Sequence, residues 1–362
     1  MKEGDIMYGF SVYLNEAINQ NDIDQMIDAG FTGIFTSIHI PEDDDQQYLG
    51  RMRDLGKIAK RNDLSLVVDI SGTSLNKIGG TFDNIQPIID LGITGLRIDY
   101  GIDWEIVARL SREIHIALNA STLTTQDLDQ LHLYQANLKN ITAWHNYYPR
   151  PETGLDMHTF NRHNRFLKSR GLRIMAFVAS DDKKRGPIYA GLPTVEVHRN
   201  LHPLASTLDL ITNGNVDDVY IGDPMISLEV LFQFKDYIQN NIICINAKSA
   251  SESVSEQLPL VLGNHTNRQD AAALVLRSQE SRMLVNTTIK PINTIVRPKG
   301  AITIDNEKYG RCQGEIQVCK VDLPQDEKVN VVGQIIDPDK YLITFIGPGQ
   351  AFKIQMEDLI DE

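Results

Sequence analysis

Carboxylate and amide side chains recur at the ends of short apolar segments in this chain of 362 residues. Carboxylates can donate or accept protons and amides can bind hydroxyl groups, so such residues suit acid–base chemistry on a polar substrate. The residues in these positions are Asp69, Asp99, Asn119, Asn146 and Asp223. If the apolar segments are parallel strands of a barrel, these side chains meet at one end of it, and we expect one shared polar site there.

Arg97 and Asp99 lie two residues apart on the same segment, so both are expected to point to the same side of a strand. A charged group inside a protein needs a partner. Either the two form an internal ion pair, or Arg97 keeps Asp99 ionised beside a substrate. Simpler roles also stay open for two other carboxylates: Asp69 as a cap of the turn that follows it, and Asp223 as the cap of a helix near Met225.

The connection "SDDKKRGPIYAGLPTVEVHRN" (180–200) is the longest one between the apolar segments. It carries the basic triplet 183–185, followed by Glu196 and His198. Long loops of compact domains are often functional, and phosphate sites of barrel enzymes often follow the seventh and eighth strands. The triplet therefore predicts an anion site, and the alternative is a run of solvated surface charges.

The stretch "HNYYPRPETGLD" (145–156) places two prolines around Arg150 and two tyrosines before it. The prolines restrict the backbone on both sides of the arginine, whose guanidinium group suits carboxylate or phosphate. Tyrosine presents a rigid amphipathic face that can stack on a sugar ring. We expect a loop that helps to hold an anionic sugar; the alternative is a packed loop with buried tyrosines.

The composition excludes several classes of function. A formal net charge of −13 argues against a nucleic-acid or membrane partner. Three cysteines without metal-ligand spacing suggest a reduced, cytoplasmic setting, and the start "MKEGDIMYGFSVYL" does not read as a signal peptide. His198 and His202 are the only histidine pair four residues apart, which is a weak metal signal. We expect no metal and no cofactor.

Eight β-rich segments alternate with amphipathic, helix-like segments over the first 240 residues, and this pattern predicts a (β/α)8 TIM barrel. The β-rich segments are 8–14, 32–40, 64–71, 94–101, 114–122, 140–146, 172–180 and 216–224. Asn21 or Asp22 is expected to cap the first helix and Asp156 the sixth. A doubly wound open sheet would need a glycine-rich turn after the first strand, which is lacking.

The pattern changes near residue 240. The segment 268–280 is the last that looks helical, and strand-like pieces then alternate with turns rich in Gly, Pro, Asp and Asn. The strand-like pieces include "TIVRPKGAITIDNEKYG", "EIQVCKVDL", "VNVVGQII" and "YLITFIGPG". We therefore predict two domains, a barrel over 1–240 and a small, mostly β domain over 241–362.

Six spaced motifs together resemble a bacterial family long labelled "outer surface protein", some members of which are 6-phospho-N-acetylmuramidases, a glycoside hydrolase family. The motifs are "GFSVYL", "RIDYG", "LNAST", "HNYYPRPETGL", "KRGPIYAGLPTVEVHR" and "YIGDP". The resemblance covers essentially the whole chain. It implies a barrel with a cyclophilin-like C-terminal domain. It also implies cytoplasmic hydrolysis of a phosphorylated muramyl disaccharide during cell-wall recycling.

Glycoside hydrolysis needs an acid for the leaving oxygen and a second group on the opposite face of the sugar. We expect Glu196 or Asp223 to be the general acid, with a pKa raised by partial burial, and Asp99 to be the nucleophile or base. The expected substrate-binding residues are Asp69, Arg97, Asn119, Asn146, Tyr148, Arg150, Arg185 and His198. Retaining, inverting and substrate-assisted mechanisms all stay open.

Two other classes of function also fit an anion site in a barrel: a sugar-phosphate lyase or isomerase, and a non-catalytic sugar-phosphate-binding protein. A Schiff-base aldolase would need a lysine near the end of an inner strand, whereas Lys139 precedes its strand. The partner that we expect is a small phosphorylated amino-sugar glycoside. A homodimer is possible on this sequence.

Overall fold

A computed structural model describes residues 6–38, 45–70, 75, 78–98 and 101–357. The eight predicted segments of the first half all form strands. They are β1 (Met7–Ser11), β2 (Gly33–Ser37), β3 (Ser65–Ile70), β4 (Gly95–Ile98), β5 (His115–Asn119), β6 (Ile141–Trp144), β7 (Arg173–Val178) and β8 (Asp218–Ile221). Each pairs with its neighbour in parallel, and β8 pairs with β1, so the sheet closes into the predicted barrel.

Helices lie between the barrel strands. They are α1 (Gln20–Asp28), α2 (Asp45–Arg61), α3 (Gln86–Asp90), α4 (Trp104–Leu110), α5 (Thr125–Leu133), α6 (Met157–Ser169) and α7 (Pro203–Thr212). The predicted cap of α6 is confirmed, since Asp156 accepts a hydrogen bond from the backbone N of Thr159 at 2.8 Å. The predicted cap of α1 is wrong: the helix starts earlier, and Asn19 caps it by accepting from the backbone N of Asn21.

Large aromatic side chains fill the interior of the barrel. Phe35, Trp144, Phe177 and Tyr220 are all nearly fully buried and pack together in one cluster. The rings of Trp144 and Tyr220 lie 4.9 Å apart, and those of Phe35 and Phe177 lie 5.2 Å apart. Gly9 makes room for this packing, because a Cβ added there would overlap the ring of Tyr220. Side chains alternate along a strand, so the residue two positions after one of these inward-facing aromatic residues also faces inward and lies nearer the C-terminal mouth of the barrel.

The chain divides into two compact units, Met1–Ser227 and Leu228–Glu362. The second unit starts with α8 (Leu228–Asn240), and the predicted boundary at residue 240 lies one helix later, just before β9 (Ile242–Ser249). No helix within the described residues has both the length and the apolar composition that a membrane crossing needs.

The second unit is mostly β structure, as predicted. Its further elements are α9 (Leu258–Val261), β10 (Gly263–Thr266), β11 (Val275–Arg277), α10 (Ser281–Leu284), β12 (Ala301–Asp305), β13 (Ile316–Cys319), β14 (Val329–Ile335) and β15 (Ala351–Met356). Seven strands form one sheet in the order β10-β15-β9-β14-β12-β13-β11. A single bridge between Asn267 and Ser278 links its two edge strands. The cyclophilin-like character of this unit stays a prediction.

Two local predictions in the second unit are wrong. The helix-like segment 268–280 contains β11, which pairs with β13, and Arg277 on it forms an ion pair with Glu315 at 2.6 Å. The strand-like "YLITFIGPG" is not a strand, because its first five residues lie in a 3-10 helix over Pro338–Phe345. This helix is anchored by Asp339, whose carboxylate accepts a hydrogen bond from the backbone N of Asn246 at 2.7 Å. Tertiary contacts outweigh local propensity at both places.

Candidate active site

A polar network joins the C-terminal ends of β3, β4 and β6. The guanidinium group of Arg97 donates to Asp69 at 2.7 Å and also to the side-chain oxygen of Asn146. The Arg97 side chain is only 5% exposed, whereas that of Asp69 is 17% exposed. Arg97 therefore forms an internal ion pair with Asp69, a partner that was not predicted from the sequence. Asp99, the predicted partner of Arg97, lies outside the described residues, so the predicted pair stays a prediction.

A second cation is held at the same mouth by two tyrosines. The guanidinium carbon of Arg185 lies 3.7 Å from the ring centroid of Tyr13, and its Nη1 donates to the hydroxyl of Tyr147 at 2.8 Å. Tyr147 packs in turn on Phe177 of the barrel interior, with 5.2 Å between ring centroids. Since Tyr147 directly follows Asn146, the Arg97 network and Arg185 share one end of the barrel. The predicted position of Arg185 at the mouth is thus supported by its contacts.

The hydroxyl of Tyr13 is also engaged, because it donates to the backbone oxygen of Gly222 at 2.5 Å. Burial raises the pKa of Tyr13 well above its ordinary value, and the neighbouring Tyr147 adds to this shift. Tyr13 therefore stays a neutral phenol at physiological pH. A neutral aromatic face beside Arg185 stabilises the cation without cancelling its charge.

A cavity of about 600 Å³ opens between the loops that follow β1, β7 and β8. Its lining includes the whole basic triplet, Lys183, Lys184 and Arg185, together with Tyr13. The Nζ of Lys183 lies 3.8 Å from a carboxylate oxygen of Asp22, so this lysine is partly compensated. Three cations around one concave space favour the predicted anion site over a run of solvated charges.

Asn119 lies at a different cavity. This second space of about 450 Å³ follows β4 and β5, and Asp103, Trp104 and Asp127 are also among its lining residues. The Asn119 side-chain oxygen accepts a hydrogen bond from the backbone N of Ser121 at 3.0 Å. The structure therefore does not place Asn119 among the residues that line the cavity around Arg185.

Glu196 fastens the loop after β6 to the loop after β7. Its carboxylate accepts hydrogen bonds from the backbone N of Glu152 at 2.8 Å and of Gly154 at 2.7 Å. Arg199 donates two more, from Nε at 2.7 Å and from Nη2 at 2.6 Å. These hydrogen bonds, that from Arg199 above all, lower the pKa of Glu196 to about 2. The predicted rise of this pKa is wrong, because burial is outweighed by donors from two parts of the chain, Arg199 and the loop that contains Glu152 and Gly154.

Arg199 is the centre of this clamp, and the sequence analysis missed it. Its guanidinium group also donates to the backbone oxygens of Tyr148 at 3.0 Å, Arg150 at 3.3 Å and Gly191 at 3.0 Å. Buried arginine needs such a set of acceptors. The spacing of Glu196 and Arg199, three residues apart in "EVHR", is the signal that could have shown the pair.

Tyr148 and Arg150 are thus held through their backbones. Tyr148 also donates from its backbone N to the oxygen of Pro193 at 2.9 Å, and its side chain is partly buried. The side chain of Arg150 is exposed. The proline-flanked loop is therefore held by hydrogen bonds to Arg199 and Glu196 in addition to the restriction from its prolines.

Asp223 organises the loop after β7. It is fully buried, and its carboxylate accepts from the backbone N of Ser180 at 2.9 Å, Arg185 at 2.9 Å and Leu192 at 3.0 Å. Burial raises the pKa of Asp223, as predicted, although the three donors oppose this shift. The alternative of a helix cap near Met225 is wrong, because the hydrogen bonds of this carboxylate go to the preceding loop.

His198 does not lie at the mouth. Its exposed fraction is 0%, and its Nε2 is 2.8 Å from a carboxylate oxygen of Asp209 in α7. This hydrogen bond lowers the pKa of Asp209. The predicted contact of His198 with a substrate is therefore wrong, because the side chain points into the packing between its 3-10 turn and α7.

Two family models match the chain. One is described as "6-phospho-N-acetylmuramidase, N-terminal" and matches residues 8–236; the other, "6-phospho-N-acetylmuramidase, C-terminal", matches residues 243–355. The chain belongs to the 6-phospho-N-acetylmuramidase family. This membership confirms the resemblance seen in the sequence and supports a glycoside hydrolase function.

Two solved structures of this architecture are similar over nearly their whole length. A conserved protein of unknown function from Enterococcus faecalis is 48% identical, with a TM-score of 0.89 over 97% of this chain and 96% of that chain. An uncharacterized B. cereus protein is 26% identical, with a TM-score of 0.74 over 97% of this chain and 99% of that chain. A comparison with curated proteins finds no match.

Within the described part of the chain, no group of three or more His, Cys, Asp or Glu side chains is arranged to hold a metal ion. Nδ1 of His202, the weak candidate from the sequence, accepts a hydrogen bond from the backbone N of Leu204 at 3.2 Å and caps α7. The expectation that the reaction needs no metal or cofactor stays a prediction.

Proposed function

We propose that this protein hydrolyses a 6-phosphorylated muramyl disaccharide and releases N-acetylglucosamine. The observation that carries the proposal is the position of Arg185, which two tyrosines hold beside a cavity at the barrel mouth. A guanidinium group fixed in this way is suited to a phosphate or carboxylate. Family membership supports the same class of reaction.

The substrate carries two anions, a phosphate and a lactyl carboxylate. Lys184 and Arg185 line the same cavity, and the exposed Arg150 lies in the loop that also contains Tyr147. In this proposal one anion binds at the basic triplet and the other at Arg150. Asp69 and Asn146, held by Arg97, would bind sugar hydroxyl groups or the acetamido group.

The carboxylates are assigned new roles in this proposal. Glu196 is ionised at neutral pH, and Asp223 is enclosed by three backbone donors, so both fit the positioning of loops better than proton donation to a substrate. Asp99 remains the proposed nucleophile or base, since it directly follows β4 in the sequence. Asp69, at the end of the adjacent β3 and paired with Arg97, keeps its proposed role in substrate binding.

The proposal includes a cytoplasmic place in the recycling of cell-wall sugars. Cys244, Cys312 and Cys319 are free thiols in the structure, which is in keeping with a reducing compartment. Detection of the protein in the soluble cytoplasmic fraction of its native cell would agree with this part, and detection outside the membrane would contradict it.

The test of the function is cleavage of purified disaccharide, with free N-acetylglucosamine measured by chromatography. The matched control is the same disaccharide without the 6-phosphate. We expect the phosphorylated disaccharide to be cleaved at least about 100-fold faster than the control, because the control lacks the phosphate that makes the charged contacts at the cavity. Rearrangement of a sugar phosphate without hydrolysis would favour a lyase or isomerase, and binding without turnover would favour a non-catalytic protein.

A further inference from the structure

Tyr189 is an exposed aromatic residue in the connection between β7 and α7. Its exposed fraction is 68%, and its backbone φ of 55° lies in the left-handed region. Bulky residues rarely adopt this conformation, because the Cβ atom approaches the neighbouring carbonyl oxygen. Because the ring is mostly exposed, packing of the ring into the core does not compensate for this strain. Strained residues of this kind concentrate at ligand sites.

Two contacts hold Tyr189 next to the basic triplet. Its backbone N donates to the oxygen of Arg185 at 3.2 Å, which closes a tight turn. A Cβ added at Gly186 would lie only 2.8 Å from the hydroxyl oxygen of Tyr189, so the end of the ring lies directly over this glycine. The ring therefore has a defined orientation although most of its surface is open to solvent.

The ring borders the cavity that the cations line. Lys184, Arg185 and Tyr189 are all among the residues around the space of about 600 Å³. Ile188, which is 47% exposed and directly precedes Tyr189, is not among them. An aromatic face and two cations thus meet at one concave surface, while the neighbouring exposed apolar side chain is directed elsewhere.

We propose that Tyr189 is a stacking platform for the pyranose ring of a phosphorylated sugar whose phosphate is bound by Lys184 and Arg185. The apolar C–H face of a pyranose can lie on an aromatic ring, whereas the phosphate requires the cations. The inference rests on the proposed function only for the location of the site. It adds the specificity that separates a phosphorylated sugar from a free phosphate.

The test compares two probes by titration calorimetry on the full chain. N-acetylglucosamine 6-phosphate has both the ring and the phosphate but no glycosidic bond to cleave, and inorganic phosphate has the anion alone. Tyr189→Ala is expected to weaken binding of the sugar phosphate about tenfold, the upper end for an aromatic contact, and to change phosphate binding less than twofold. Tyr189→Phe and the matched control Ile188→Ala should bind both probes like the wild type.

Three results would overturn the inference: equal weakening of both probes by Tyr189→Ala, no weakening of the sugar phosphate, or no binding of the sugar phosphate to the wild type. The cleavage assay on the disaccharide is separate. If the disaccharide is not cleaved but sugar-phosphate binding depends on Tyr189, the proposed hydrolysis fails and the stacking platform stands. If the disaccharide is cleaved but binding of the sugar phosphate does not depend on Tyr189, the proposed hydrolysis stands and the stacking platform fails.

Discussion

Replacing Glu196 by glutamine tests whether this carboxylate holds the two mouth loops together. Glutamine has nearly the same size but carries no charge. Its NH₂ group replaces one accepting carboxylate oxygen and, being a donor, would face the N–H donors that this oxygen binds. Hydrogen bonds to charged groups contribute about 1.5–3 kcal/mol each, and water recovers part of this loss, because the side chain is 30% exposed. We expect the free energy of unfolding to fall by about 2–3 kcal/mol, with the unused donors of the buried Arg199 as the main cause.

The effect can be measured by differential scanning calorimetry. A domain of about 150–250 residues loses roughly 2–4 °C in Tm per kcal/mol, so the Tm of the barrel transition should fall by about 4–12 °C at pH 7. Glu152→Gln is the matched control, since Glu152 lies in the loop that Glu196 fastens and has an exposed side chain. This variant should unfold within about 1–2 °C of the wild type.

The pH dependence gives a second, independent measurement. The pKa of Glu196 is lowered from 4.5 to about 2, chiefly by Arg199. A lowered pKa means that the carboxylate stabilises the folded protein fully above about pH 4.5 and loses this contribution as the pH falls toward 2. The Tm difference between wild type and Glu196→Gln should therefore shrink between pH 6 and pH 3. A difference that stays constant, or a variant as stable as the control, would refute the clamp.

Three further predictions concern the mouth and the second unit. Arg185→Met should raise KM for the phosphorylated disaccharide at least about tenfold, since one charged contact is lost. Lys183→Met should raise KM less, because Asp22 already compensates part of the charge of Lys183. Equal effects of the two substitutions would contradict the special position of Arg185. Asp99→Asn and Asp69→Asn should each lower kcat by about 100-fold or more with an unchanged circular dichroism spectrum, and full activity of both would remove them from the mechanism. Asp305 is 3% exposed, and burial together with Glu315 raises its pKa to about 7. A raised pKa means that stability is lost as the pH rises through 7, so Asp305→Asn should raise the Tm at pH 8 but not at pH 4, and a gain at both values would disprove this cause.

The barrel could be predicted from the sequence because its signal is local and repeated. Each strand is a short apolar run between turn-forming residues, and eight such runs at regular spacing leave few alternative architectures. The predicted mouth residues Asp69, Arg97 and Asn146 were found together for the same reason, since strand parity and strand ends are properties of the sequence. The segments 268–280 and "YLITFIGPG" had weaker local signals, and non-local contacts such as Arg277 with Glu315 and Asp339 with Asn246 decided their conformation.

The sequence by itself determined that Asp69, Arg97 and Asn146 reach the mouth of the barrel, because the position of a residue on a strand depends on local periodicity. The tertiary structure decided what the carboxylates do there. Glu196 is bound by Arg199 and by two amides of another loop, whereas Asp223 is enclosed by three amides of the loop after β7. The charge state and the accessibility of a carboxylate depend on such neighbours within a few ångströms, and only the folded chain brings distant segments to that distance.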